Sequence, residues 1–268
     1  MDEVGELLQE LSYFPGREEG LRKIKRYHIY KTLFYRSSDF SHSKRVAWLV
    51  QSISPTVSNI LKDSFDSKRA LALALTHDDA ELVTGDHQAG NKMKMTPAQL
   101  TALADEERDA IGRLVSSFPS RVGGYSYAEL LADILDVESP EAQVVKYADR
   151  LDAMGEALHE LHAGNTCMNT NVTTEYGLIT LPFQSYYETL PKMIEKYRAL
   201  TALKGLHVFF SVPEQRDWDA VVKQGKLHNK ESLSIPTGHP QYDQWKKIIL
   251  EYGDSQEIRN LYTQVEFL

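Results

Sequence analysis

Cys167 is the one cysteine in 268 residues. No disulfide can form within the chain, and no cysteine-based zinc site exists. That usage agrees with a reducing cytoplasm, the expected setting. No apolar run approaches the roughly 20 residues that a bilayer-spanning helix needs. The opening MDEVGELLQELSYF is acidic and has neither a basic n-region nor an apolar h-region, so no signal peptide is expected there. Positive charge is also scarce: Lys and Arg total 30 against 38 Asp and Glu, a formal net charge of -8. An acidic chain repels a phosphate backbone, which argues against polymeric nucleic acid as a partner. A small anionic ligand is still compatible, because one metal ion and a few local Lys or Arg reverse the sign of a pocket. Internal repeats and low-complexity tracts are missing as well.

What is present reads as a folded, mainly helical protein, with 42% apolar and 25% charged residues. Residues 18–36 carry Leu21, Ile24, Ile29, Leu33 and Phe34 at helical spacing. Ser41 is a candidate cap for a helix with Val46, Leu49, Val50 and Ile53 on one side. Asp66 or Ser67 can cap the next, KRALALALTHDDAELV, which is apolar almost all round until His77 and so reads as buried. Thr96 and Pro97 open a helix to about Ser117. SRVGGYS reads as a loop and YAELLADIL as a short helix. Pro140 starts a long helix closed by Gly164. Beyond residue 165 the pattern weakens. NTNVTTEYGLITLP favours strand without an evident partner, and SYYETLPKMIEKYRALTAL is helical with Pro191 as a break. LHVFFSV reads as a short strand or buried turn, and YDQWKKIILEYG and SQEIRNLYTQVEF as closing helices.

Four features carry chemistry together. His42 opens one helix, the pair His77-Asp78 ends another, Glu81 follows within a turn, and Asp149 lies on the long helix. Positions three or four apart on a helix share a face, which puts Glu81 beside the pair. Imidazole nitrogens and carboxylates form an N/O site for one divalent transition ion: Mn, Co, Fe, Ni or Zn, with Mg as a further possibility. Two His and two Asp leave positions open on an octahedral ion, one for a water and one for a phosphoryl oxygen. Glu81 is then placed to handle a proton. Asp149 and Asp152 are rival ligands, three residues apart. His159 and His162 sit in HELH, which lacks the HExxH spacing, and read as a helix-end pair. Cys167 reads as inert. Tyr186, Tyr187, Phe209, Phe210 and Trp245 read as core or interface.

These segments resemble the YfbR-like HD-domain 5'-deoxynucleotidases, within the HD-domain metal-dependent phosphohydrolases. THDDAELVTGD at 76–86 resembles their signature of HD, a Glu and a T-G-D triplet. FSHSKRVAWL, KYADRLDA, ELHAGN and IKRY resemble the segments around it, so the likeness covers about residues 20–166 in order. The chain departs from the pattern at HQAGN, at Tyr27 (a Trp in the family) and at Ser41, where an acidic residue is usual.

The resemblance implies an all-α HD-domain helical bundle over 1–166. Residues 167–268 would add a mostly helical C-terminal extension packed on the same domain. It implies hydrolysis of the 5'-phosphate of deoxyribonucleoside monophosphates. The metal ligands would be His42, His77, Asp78 and Asp149, with Asp78 and Glu81 catalytic. Arg26, Tyr27, Asp86 and Lys92 would bind substrate, and the protein would be a homodimer. Hydrolysis of deoxynucleoside triphosphates is the alternative reaction. A nucleotide- or metal-sensing interaction module is the alternative outside enzymes.

Overall fold

The computed structural model describes residues 2–27, 38–86, 92, 94–162, 172–174, 177–179, 189–190 and 192–201. In chain order the named elements are α1 Glu3–Leu11, α2 Arg17–Lys23, α3 Asp39–Leu61, α4 Ser67–Thr76, α5 Glu81–Thr84 and α6 Pro97–Ser117. They are followed by β1 Arg121–Val122, β2 Tyr125–Ser126, α7 Tyr127–Asp136, α8 Pro140–His162, β3 Val172–Thr174, β4 Gly177–Ile179 and α9 Arg198–Thr201. The all-helical reading holds, with two small hairpins as the β-structure among the described residues. No helix among them is long and apolar enough to cross a membrane.

The middle of the fold is α4, packed against α3 on one side and α8 on another. Its stretch Ala70–Leu75 is wholly buried. Alternating Ala and Leu lets neighbouring backbones approach at the small residues while each leucine fills a gap, each worth about 1.5–3 kcal/mol. α3 contributes Val46, Ala47, Leu49, Val50, Ile53 and Val57, and α8 contributes Val144, Val145, Tyr147, Ala148, Leu151 and Met154. α1 covers α4 with Val4, Leu7 and Leu11. The site is built where α3 begins, α4 ends and α8 passes its midpoint.

Local chemistry explains most of the boundaries. Asp66 caps α4 by accepting from Arg69 N at 3.0 Å. Thr96 and Gln99 form a reciprocal capping box, with Pro97 in the first turn. Three expectations need correction. The helix expected over 18–36 stops at Lys23: Ile24 is extended, Lys25 bridges to Ser38, and Tyr27 has φ 57. Residues Ile29, Leu33 and Phe34 lie outside the described residues. Ser38, not Ser41, caps α3, because Asp39, Phe40 and Ser41 are already helical. SRVGGYS is a hairpin, Arg121 facing Ser126 and Val122 facing Tyr125. Strands of two residues are too short for periodicity to reveal, although Gly-Gly is itself a turn signal.

Gly123 has φ +61, and a Cβ there would lie 2.6 Å from Leu7 Cδ2. Gly123→Ala therefore combines left-handed strain with overpacking. It is expected to lower unfolding stability by about 1–3 kcal/mol, read as a shifted urea midpoint at unchanged slope.

The β-favouring stretch after 165 is paired with itself, Val172 with Ile179 and Thr174 with Gly177. Farther on, Leu190, Met193, Ile194, Ala199 and Leu200 join the main core. Ala199 N donates to Gln143 Oε1 on α8 at 3.1 Å. Pro191, Cys167, LHVFFSV, the two closing helices and the aromatics at 186, 187, 209, 210 and 245 lie outside the described residues.

Candidate metal centre

The run expected as one helix through His77-Asp78 to Glu81 is broken. α4 ends at Thr76, and the next residues turn through i→i+3 bonds: Asp79 N to Thr76 O and Glu81 N to Asp78 O, both 3.0 Å. The tighter turn sends successive side chains to different sides. His77 and Asp78 point to the cluster, whereas Asp79 points into the core. Arg17 grips Asp79 with Nε at 2.8 Å and Nη2 at 2.6 Å, and also donates to Leu75 O, one of the carbonyls at the end of α4. Tyr127 Oη donates to the same carboxylate at 2.7 Å.

On the other side, His42 Nε2 and His77 Nε2 face each other at 3.3 Å. Asp78 Oδ1 lies 3.1 Å from His77 Nε2, and Asp78 Oδ2 lies 3.6 Å from His42 Nε2. Asp149 Oδ1, from α8, is 3.2 Å from His42 Nε2 but stands outside the set of His42, His77 and Asp78, whose donor atoms all lie within 4.8 Å of one another. Donors bound at about 2.0–2.2 Å and at right angles around one ion stand about 3 Å apart, so these spacings suit a shared cation.

The far side of each ring agrees. His77 Nδ1 meets Ala74 O at 2.8 Å, and His42 Nδ1 meets Asp152 Oδ2 at 2.7 Å. With both Nδ1 atoms donating outward, the two Nε2 atoms face one another across a gap that wants a positive charge, a proton or a metal ion. Asp78 Oδ2 is buried without a hydrogen bond. The residues therefore fit a divalent ion.

The electrostatics point the same way. Burial and the Arg26 charge lower the His42 pKa, but hydrogen bonds to Asp149 and Asp152 outweigh them and raise it to about 9. Asp78 is depressed below the usual carboxylate range: burial opposes this, and the charges of His77, His42 and Arg26 prevail. Glu81 is pushed well up, first by burial and then by the charges of Asp78, Asp39 and Asp86. Asp39 is raised to about 7 by burial and by Asp78, against the pull of Arg26 and Glu81.

The remaining expected residues divide. Arg26 stands 3.6 Å from Asp78, 3.6 Å from Glu156 and 3.9 Å from Asp39, directly beside the cluster. Tyr27 is buried, with its hydroxyl donating to Ala153 O on α8 at 3.0 Å. Asp86 is near enough for its charge to act on both Glu81 and Asp39. Lys92 instead pairs with Glu107 of α6 at 3.0 Å. His159 and His162 are in the last turn of α8, and their side chains lie outside the described residues. Sequence reasoning missed Asp39, Arg45 and Glu156, and weighed Asp152 only as a rival ligand. A signal was present: Asp39 and Arg45 flank His42 by three residues, and Asp152 and Glu156 follow Asp149 by three and seven, so each set shares a helix face.

A family model described as 5'-deoxynucleotidase YfbR-like matches residues 18–179. The chain belongs to that family. Among its YfbR-like relatives, a 5'-deoxynucleotidase of Pectobacterium atrosepticum is 29% identical over 156 residues, covering 58% of this chain and 75% of the relative. One from Photorhabdus temperata is 27% identical, covering 59% and 79%. A crystal structure of a protein from Pyrococcus horikoshii OT3 superimposes with a TM-score of 0.51 at 19% identity, over 70% of this chain and 91% of that one. It shares the fold of this YfbR-like chain.

Proposed function

We infer that this YfbR-like protein is a metal-dependent phosphohydrolase that cleaves the 5'-phosphate from deoxyribonucleoside monophosphates. Water is consumed, and a deoxynucleoside and inorganic phosphate are released. One observation carries the reading: the Nε2 atoms of His42 and His77 and the carboxylate of Asp78 come to mutual spacings of 3.1–3.6 Å, and Asp149 Oδ1 reaches the edge of that set, 3.2 Å from His42 Nε2.

In this reading His42, His77, Asp78 and Asp149 hold one divalent ion. Bound there, the ion would supply an acidified water and a Lewis acid for a phosphoryl oxygen. The chain's own residues do the rest. Glu81, held protonated by burial and by its acidic neighbours, donates its proton to the departing 5'-oxygen. Arg26 turns its guanidinium to the phosphate, exchanging its contacts of 3.6 Å and longer for shorter ones. Tyr27, pinned to Ala153 O, walls the sugar side, and Asp86 faces the nucleoside. Lys92 reaches substrate only by leaving Glu107. A homodimer in the cytoplasm, and a division of the chain near residue 166 with the following segment packed on the same domain, belong to the same proposal. The core positions of Leu190, Met193 and Ile194 support that packing.

The test is a panel of deoxy- and ribonucleotides at each phosphate number, with Mn, Co or Mg supplied. Inorganic phosphate from deoxynucleoside monophosphates is the expected product. Tripolyphosphate from triphosphates would move the assignment to the alternative reaction, and no turnover by metal-loaded protein would end it. Chelation followed by removal of the chelate is expected to abolish turnover, and added Mn or Co to restore it.

A further inference from the structure

We infer that Asp152, itself held by Arg45, is a positioning residue that fixes His42 with Nε2 facing the metal centre. The inference rests on the metal-centre reading above. Asp152 lies on the ligand-bearing face of α8 but is not free to ligate, because both of its oxygens are committed. Oδ1 accepts from Arg45 Nε at 2.9 Å, and Oδ2 accepts from Arg45 Nη2 at 2.9 Å and meets His42 Nδ1 at 2.7 Å. Glu156, one turn farther along α8, accepts from the same Nη2 of Arg45. Arg45, Asp152, Glu156 and His42 are all buried. Behind the outer row of His42 and Asp149 there is thus an inner row, Arg45 from α3 and Asp152 with Glu156 from α8.

The chemistry of that inner row dictates the tautomer. An ionised carboxylate only accepts, so His42 Nδ1 has to donate, and the lone pair of the neutral ring is left on Nε2. Nε2 is the atom that faces His77, Asp78 and Asp149. His77 reaches the same state differently, through the backbone carbonyl of Ala74. A substitution cannot delete that carbonyl, whereas the partner of His42 can be deleted. The Arg45 charge keeps Asp152 ionised, and therefore acceptor-only, out of contact with water.

Asp152→Asn isolates the effect. Asn keeps the shape but offers one acceptor and one donor where His42 and Arg45 both donate. If its oxygen stays on Arg45, its NH2 faces His42 Nδ1 and drives the ring proton onto Nε2. Cobalt affinity is then expected to fall 10–100-fold and the visible absorption bands of bound cobalt to change. kcat should fall while KM for the nucleotide moves little. Arg69→Ala is the control for a merely structural loss. It removes the 2.7 Å pair with Asp133, about 12 Å along α4 from His77, and should leave cobalt affinity unchanged. A second measurement needs no variant: in the zinc-loaded wild type, the nitrogen NMR signals of His42 should report a protonated Nδ1 and a ligating Nε2.

Wild type that takes up no cobalt removes the metal centre, and this inference with it. Wild type that binds, beside a folded Asp152→Asn that binds equally tightly with unchanged bands, overturns the positioning role alone. Should the variant not fold, an unprotonated Nδ1 in the zinc-loaded wild type overturns it equally.

Discussion

Glu81→Gln is expected to lower kcat for phosphate release by about 10²–10⁴-fold while cobalt or manganese binds within a few-fold of wild type. The substitution keeps size and polarity and removes the transferable proton. Its selectivity for kcat follows from where Glu81 sits. Its Oε2 is buried without a hydrogen bond, next to the cluster but outside the set of donors with mutual spacings near 3 Å. Burial first, and then the charges of Asp78, Asp39 and Asp86, push its carboxyl well up and favour the neutral acid. A neutral amide there perturbs the surrounding charge little, so folding should be preserved. Phosphate release and direct metal titration on the same preparation separate the two quantities. Turnover within tenfold of wild type would remove Glu81 from the proton-transfer role.

Arg17→Ala is expected to destabilise the fold by about 3–5 kcal/mol, read from urea unfolding at unchanged slope. Asp79 is 0% exposed, and Arg17 supplies two of its hydrogen bonds. Truncating the cation leaves a buried carboxylate with the Tyr127 hydroxyl as its one remaining side-chain donor among the described residues. The same guanidinium also holds Leu75 O at the end of α4, so one of the terminal carbonyls loses its donor too. The pair need not be net stabilising against an apolar replacement. Its loss is costly because one half remains. Arg17→Met combined with Asp79→Asn should therefore be less damaging than the two single losses added together, a coupling that a double-mutant cycle measures directly. A loss under 1 kcal/mol for Arg17→Ala would show that Asp79 finds other compensation. Because Asp79 anchors the turn that carries His77 and Asp78, weaker metal binding should accompany the loss of stability.

What the sequence disclosed, and what it hid, follows the range of the interactions. Thr96-Pro97, Asp66 and the Ala-Leu alternation of α4 act within a turn or two, and they read correctly. His77-Asp78 stands out in the sequence because an imidazole beside a carboxylate at a buried helix end has few other uses. The break after Thr76 was not legible, since nothing local forbids the helix from continuing. Its cause lies in Arg17, 62 residues away from Asp79, and in Tyr127. Asp152 showed the right helical face but not its task, because its partner Arg45 is 107 residues distant. The cap is Ser38 rather than the expected Ser41 for a simpler reason: Ser38 offers the same hydroxyl three residues earlier, and Asp39 between them is itself favourable in a first turn.

The family match opens at residue 18, one position after Arg17 and beyond the whole of α1. The segment that kinship recognises is therefore smaller than the unit that shares one core. A chain cut back to that border would inherit every proposed ligand yet forfeit the counter-ion beneath their turn and the apolar lid that Val4, Leu7 and Leu11 lay over α4. In this protein the chemistry is housed inside the shared segment, and part of its foundation is poured outside it.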